Sequence, residues 1–203
     1  MPDELRERYQ QRRALLQQLG GKLEEATREA LGSMPHIDRV SFRVKSVDSF
    51  MAKAAQVDSL YENPLVEIED QVAGRVIVFF LSDIDVVLQK LRGTFNAVEG
   101  VRKRPARDEE FSYESHHLVC TIPPHLEPVG FRELLDAPNT FELQVRTIFM
   151  HAYSEPQHDF AYKAAEDLPG NTRRELAWIA ASAWGADQAY ERVLKWARDN
   201  GHV

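Results

Sequence analysis

The segment Thr140-Phe141-Glu142-Leu143-Gln144-Val145-Arg146-Thr147 alternates apolar and polar residues without a break. Successive side chains of a strand point to opposite sides, so this pattern sorts itself onto two faces only when the backbone is extended. The segment therefore predicts a strand with Phe141, Leu143 and Val145 facing a core and Glu142, Gln144 and Arg146 facing away from it. The outer row sets a carboxylate, an amide and a guanidinium side by side.

The rest of the chain supplies partners for that strand. Residues 37–45 alternate as a second strand, and 74–81 are dense enough in Val, Ile and Phe to form one buried on both faces. Two more strands are predicted over 95–104 and 116–122. Helices are predicted over 48–56, 83–91, 149–163 and 172–198. An N-terminal helix over about 3–31 gathers Leu5, Leu15, Leu16, Leu19, Leu23 and Ala26 on one broad face, with a possible break at Gly20-Gly21. The charged stretch 105–112 reads as a loop, and the Pro-rich stretch 123–138 as a long connection. Trp178, Trp184, Tyr190 and Trp196 on the last helix read as core or subunit-contact residues. These elements predict an α/β (α+β) fold: a mixed sheet of about five strands flanked by helices, with helical extensions at both ends. One domain over 1–203 accounts for the chain, divided into an N-terminal helix (1–35), a catalytic core (37–165) and a C-terminal helix (170–200).

A single cysteine, Cys120, allows no internal disulfide, and no leader or apolar run of about 18 residues is evident, which points to the cytoplasm and to no membrane. With 25 Lys and Arg against 32 Asp and Glu, the net charge of -7 disfavours a broad polyanion surface and requires any phosphate to be met by a local patch.

Three groups join Glu142 as candidates for chemistry. Arg43 and Lys45 end a strand, and Ser49 and Lys53 follow four residues apart on one helical face, a set suited to a base and its phosphates. Glu69-Asp70 precedes the apolar strand that carries Arg75, placing an acid at the strand's mouth where a hard cation such as Mg2+ could bind. Tyr113, Ser115 and His117 alternate onto one side, offering a stacking ring, a hydroxyl and an imidazole. Two acids, a basic cluster and an aromatic pocket fit phosphoryl or pyrophosphoryl transfer. No Gly-rich phosphate loop, Gly-x-Ser-x-Gly elbow or cysteine cluster competes with that reading, and His158-Asp159 is a bare pair without further histidines at metal spacing.

Residues 41–163 resemble the synthetase domain of the RelA/SpoT family, and in size the chain resembles a stand-alone small alarmone synthetase. The resemblance rests on four ordered blocks: Arg43-Val44-Lys45 with Ser49 and Lys53; Asp70 to Arg75; Tyr113-x-Ser115-x-His117; and Glu142-x-Gln144-x-Arg146-Thr147 followed by His151-Ala152-Tyr153 and 158–163. It implies that Arg43 and Arg75 sandwich the adenine of ATP while Lys45, Ser49 and Lys53 contact its phosphates. Asp70 and Glu142 would be the catalytic and metal-binding acids, with Mg2+ as cofactor. Tyr113 would stack on the acceptor base, and Ser115, His117, Gln144, Arg146 and His151 would complete the acceptor site. The implied reaction is (p)ppGpp synthesis, moving the β,γ-pyrophosphate of ATP to the 3'-hydroxyl of GDP or GTP and releasing AMP. The resemblance also implies a homotetramer.

The chain departs from the family pattern at a few positions. Ala73 with Gly74 stands where Gly is usual after the metal acid; Ser112 and Glu114 replace Gly and Arg around the tyrosine. Tyr153, Pro156 and Gln157 replace Trp, an apolar residue and Glu. Two alternatives follow: a toxin-type member acting on the 3'-end of tRNA, met by Arg102, Lys103, Arg104 and Arg107, or an inactive nucleotide-binding protein.

Overall fold

A computed structural model describes every residue except 1, 57–60, 104, 106, 108–109, 113, 165–168 and 203, and leaves out the side chains of 2 and 157–164. Among the described residues five strands form one mixed sheet: β1 (Ile37–Val44), β2 (Val72–Val78), β3 (Ala97–Lys103), β4 (Ser115–Thr121) and β5 (Thr140–Thr147), in the order β1-β2-β5-β4-β3. Only the central pair β2–β5 is parallel. The helices are α1 (Pro2–Leu31), α2 (Val47–Ala54), α3 (Pro64–Glu67), α4 (Leu81–Thr94), α5 (Ile148–Ala164) and α6 (Gly170–Asp199). None of these helices is long and apolar enough to cross a membrane.

The register gives the sheet two unlike faces. Phe42 pairs with Gly74, Gly74 with Leu143, and Leu143 with Leu118, making an apolar row. α1 and α4 cover that face with Leu16, Leu19, Leu23, Val87, Leu88 and Leu91, all buried. Each such side chain, fully removed from water, stabilises the fold by about 1.5–3 kcal/mol. Gly74 is required here: a Cβ at this position would lie 2.4 Å from Phe42 Cζ and 2.6 Å from Leu143 Cδ2. α1 also guards the sheet's edge, where Glu24 Oε2 accepts from the Phe42 amide at 3.1 Å.

Several sequence expectations move. The Gly20-Gly21 break does not occur, since α1 runs unbroken from Pro2 to Leu31. Gly20 instead lets the helix approach the sheet, its ideal Cβ position lying 3.7 Å from Val72 Cγ1. The strand expected over 74–81 occupies Val72–Val78, and Leu81 opens α4. Ahead of β2, Pro64–Glu67 form the short α3, where the Asn63 side chain caps the Leu65 amide. On α6, Trp178, Trp184, Tyr190 and Trp196 are exposed, so the core alternative for them fails. Among the described residues, Met150, Tyr153 and Ala180 form a small buried cluster between α5 and α6.

Candidate active site

The opposite face of the sheet carries the polar residues in two cross-strand rows. One runs Arg43, Ala73, Glu142, Val119; the next runs Ser41, Arg75, Gln144, His117. The alternation of β5 is thus realised: Phe141, Leu143 and Val145 are fully buried on the core face, and Glu142 and Gln144 stand on the polar face.

Glu142 is held by hydrogen bonds. His117 Nδ1 lies 2.5 Å from its Oε1, and Gln144 Nε2 donates to its Oε2 at 2.9 Å. Ser115 Oγ lies 2.6 Å from His117 Nε2, which holds the far side of the ring while Nδ1 faces Glu142. Burial pushes the Glu142 carboxyl up, but the bond and charge of His117, the Gln144 amide and Lys103 outweigh it and bring it down to about 2. The group is a permanent anion near neutral pH.

Asp70 lies on the turn that enters β2, in the 3-10 segment Glu69–Gln71. Both its oxygens are taken by lysines: Lys45 Nζ at 2.5 Å and Lys53 Nζ at 2.9 Å. α2 delivers Lys53 because Ser46 caps its start, accepting from the Ser49 amide at 3.1 Å and donating to the Ser49 hydroxyl at 2.8 Å. α1 fixes the other lysine: Tyr9 stacks on Phe50 at 3.8 Å and donates to the Lys45 carbonyl at 2.9 Å. Burial pulls the Lys53 ammonium down, yet Asp70 more than compensates and raises it.

Burial raises the carboxyl of Glu69, the residue before Asp70, and the fields of Glu99, Glu142 and Asp70 add to this despite Lys53. Among the described residues no three His, Cys, Asp or Glu side chains cluster as a metal cage. The donor set fits a hard ion held by one or two carboxylates and completed by substrate phosphates.

These two acids, the lysines and the cross-strand rows are the features named by the sequence blocks. The sequence model of the region found in RelA / SpoT proteins matches residues 42–167. The chain belongs to the RelA/SpoT family. The GTP pyrophosphokinase YjbM of Bacillus subtilis (strain 168) is 31% identical over 163 residues, spanning 77% of this chain and 72% of that protein. The crystal structure of small alarmone synthetase 1 from Bacillus subtilis has the same fold, with a TM-score of 0.70 at 23% identity over 95% of either chain. A structure of that synthetase bound to its product pppGpp matches with a TM-score of 0.68 at 23% identity, covering 92% of this chain and 94% of that one. A GTP pyrophosphokinase family protein from Streptococcus pneumoniae matches with a TM-score of 0.71 at 23% identity, over 98% of this chain and 93% of that one.

Within this RelA/SpoT-family chain, not every predicted residue lies in the open site. Arg43 is exposed on the polar face and Arg75 is largely buried. Arg146 is 1% exposed; its guanidinium donates to Ser154 Oγ and, at 3.0 Å, to Glu155 Oε1, beneath α5. His151 also faces Glu155, its Nδ1 lying 3.6 Å from Oε1. Tyr113 and Arg104 lie outside the described residues, as do the side chains of His158 and Asp159. Glu114 is half-buried and lies 3.6 Å from Arg102, and Arg107 lies 3.7 Å from Glu110.

Sequence reading missed two acids. Glu155 accepts from Arg75 at 2.6 Å as well as from Arg146, and its only sequence signal is its place four residues after His151 on a helix. Asp187, on α6, is buried and accepts from Thr147 Oγ1 at 2.7 Å, while Thr147 Oγ1 caps the Met150 amide at 3.1 Å. Thr147 thereby ends β5 and starts α5 at one fixed angle. Burial, offset in part by the Thr147 bond, raises the Asp187 carboxyl to about 6. It borders a cavity of about 220 Å³ behind the site, shared with Trp184, Arg102 and Glu114.

Proposed function

We propose that this chain is a (p)ppGpp synthetase that transfers the β,γ-pyrophosphate of ATP to the 3'-hydroxyl of GDP or GTP and releases AMP. The observation that carries this reading is the pairing of two acids at the mouths of adjacent parallel strands, Asp70 clamped by two lysines and Glu142 held ionised by His117 and Gln144. The names of the relatives support the same chemistry.

Arg43 and Arg75 form the adenine clamp. Arg43 pairs with Ala73 and Arg75 with Ser41, which makes the two arginines diagonal neighbours on one face. Their Cβ atoms then lie about 7–8 Å apart, room for a planar ring stacked on both sides. Lys45 and Lys53 exchange Asp70 for the triphosphate when ATP arrives, and the freed carboxylate, with Glu142, would hold Mg2+. When bound, that ion would neutralise charge on the transferred group and lower the proton affinity of the acceptor hydroxyl.

Glu142 accepts the hydrogen bond of the 3'-hydroxyl and aims its oxygen at the β-phosphorus. A carboxylate this acidic is a weak base, so its contribution is chiefly orientation and charge, and the proton leaves late in a loose transition state. Ser115, His117, Gln144 and His151 line the acceptor side, with Arg146 acting from beneath, and Tyr113 would stack on the acceptor base. The exposed aromatics of α6 suit contact between copies of the chain in a homo-oligomer.

The test is to incubate the protein and Mg2+ with γ-labelled ATP and, separately, GDP, GTP, ATP as acceptor, and deacylated tRNA. Label on GDP or GTP is expected. Label on tRNA alone overturns the acceptor, and no transfer to any of them overturns the function.

A further inference from the structure

A single carboxylate oxygen joins the two strands that bear the site. Glu155 Oε1 accepts from Arg75 Nη1 on β2 at 2.6 Å and from Arg146 Nη2 on β5 at 3.0 Å, with His151 Nδ1 at 3.6 Å. Arg75 pairs with Gln144 and Ile77 with Arg146, so the two guanidinium groups are diagonal neighbours on one face and would repel each other without an anion between them. The two are not equivalent. Arg146 is also bonded to Ser154 Oγ and is 1% exposed, whereas Arg75 is 13% exposed and borders the open face.

Resting on the reading of ATP as donor, we propose that Glu155 is a positioning residue for the donor nucleotide, acting through Arg75. The N–H bonds of a guanidinium lie in its plane, so a carboxylate engages its edge and leaves both flat faces free. With the edge fixed by Glu155, one face of Arg75 is turned toward Arg43 and the base binds into a clamp that is already set. An arginine held before binding loses less rotamer freedom when the base arrives, which lowers the cost of binding. The carboxylate is delivered by α5, whose direction is fixed by the Thr147 cap and by Asp187 behind it. Burial opposes its charge, but the fields of Arg75 and Arg146 outweigh this and lower the Glu155 carboxyl, which keeps it charged near neutral pH.

The test is a double-mutant cycle read on steady-state kinetics and on binding of a non-hydrolysable ATP analogue. Glu155→Ala is expected to raise the KM for ATP and weaken analogue binding about tenfold, with the KM for the guanosine acceptor within about twofold of wild type. Glu155→Gln, which keeps the shape and the acceptor oxygen without the charge, falls between them and is the variant to read where Glu155→Ala does not fold. In an Arg75→Ala background, removing Glu155 is expected to change neither ATP constant further. The proposal is overturned by equal losses in both backgrounds, or by a change in the acceptor KM in place of the ATP KM. Failure of the functional reading looks different: the wild type then moves pyrophosphate to no acceptor, while analogue binding still reports the cycle.

Discussion

The two halves of the polar face are secured by different forces. On the β1–α2–β2 side, ammonium groups meet a carboxylate directly, as Lys45 and Lys53 do with Asp70. On the β4–β5 side, Glu142 is held by an amide and an imidazole whose far nitrogen is held in turn by Ser115. Full charges on flexible stems change partners readily when a triphosphate competes for them. A relay of short hydrogen bonds between neighbouring strands fixes one geometry. In the proposed reaction the first half is the donor side and exchanges partners, and the second is the acceptor side and holds an acid in place.

The largest effects are expected where the halves meet. Asp70→Asn and Glu142→Gln should each lower kcat by about 10²–10³ or more while leaving the fold intact, measured as AMP released in a single turnover. Undiminished turnover in either variant would remove that acid from the chemistry. Next comes the donor half alone: Lys53→Ala should raise the KM for ATP by roughly tenfold and leave the acceptor KM nearly unchanged. A comparable rise in both constants would erase the division between halves.

The acceptor half gives a smaller effect of another kind. His117→Ala should lower kcat by about fivefold to tenfold without weakening ATP binding, and His117→Asn, whose amide can still donate to Glu142, should recover part of it. Behind both halves, Asp187→Asn tests the hinge of α5. A buried acid whose folded pKa is raised contributes stability that is present below its ordinary range near 4 and lost as pH rises through about 6. The asparagine variant can still accept from Thr147, and should gain on wild type by about 2 kcal/mol between pH 4 and pH 7.5 in urea unfolding. A gain that does not grow with pH would contradict the raised pKa.

Much of this was legible in the chain because it is local. The alternation of β5 puts Glu142 and Gln144 on one face by backbone geometry alone, and the spacing of Ser49 and Lys53 sets both on one side of α2. Features that depend on distant partners were not legible. Gly20 reads as a helix breaker until β2 lies beneath it, and Glu155 reads as a surface acid until Arg75 and Arg146 arrive from two strands. Arg146 alternates with Glu142 and Gln144, but α5 folds back over it and takes it out of the open face. Strand periodicity assigns a face and is silent on what covers it.

The proposed reaction moves a whole pyrophosphate from one nucleotide to another. The most direct measurement is to supply ATP labelled at both the β and γ positions with GDP and Mg2+ and resolve the products by anion exchange. One AMP for each doubly labelled, 3'-pyrophosphorylated guanosine nucleotide is the predicted result. ADP with a singly labelled product, or no labelled guanosine nucleotide, would contradict it.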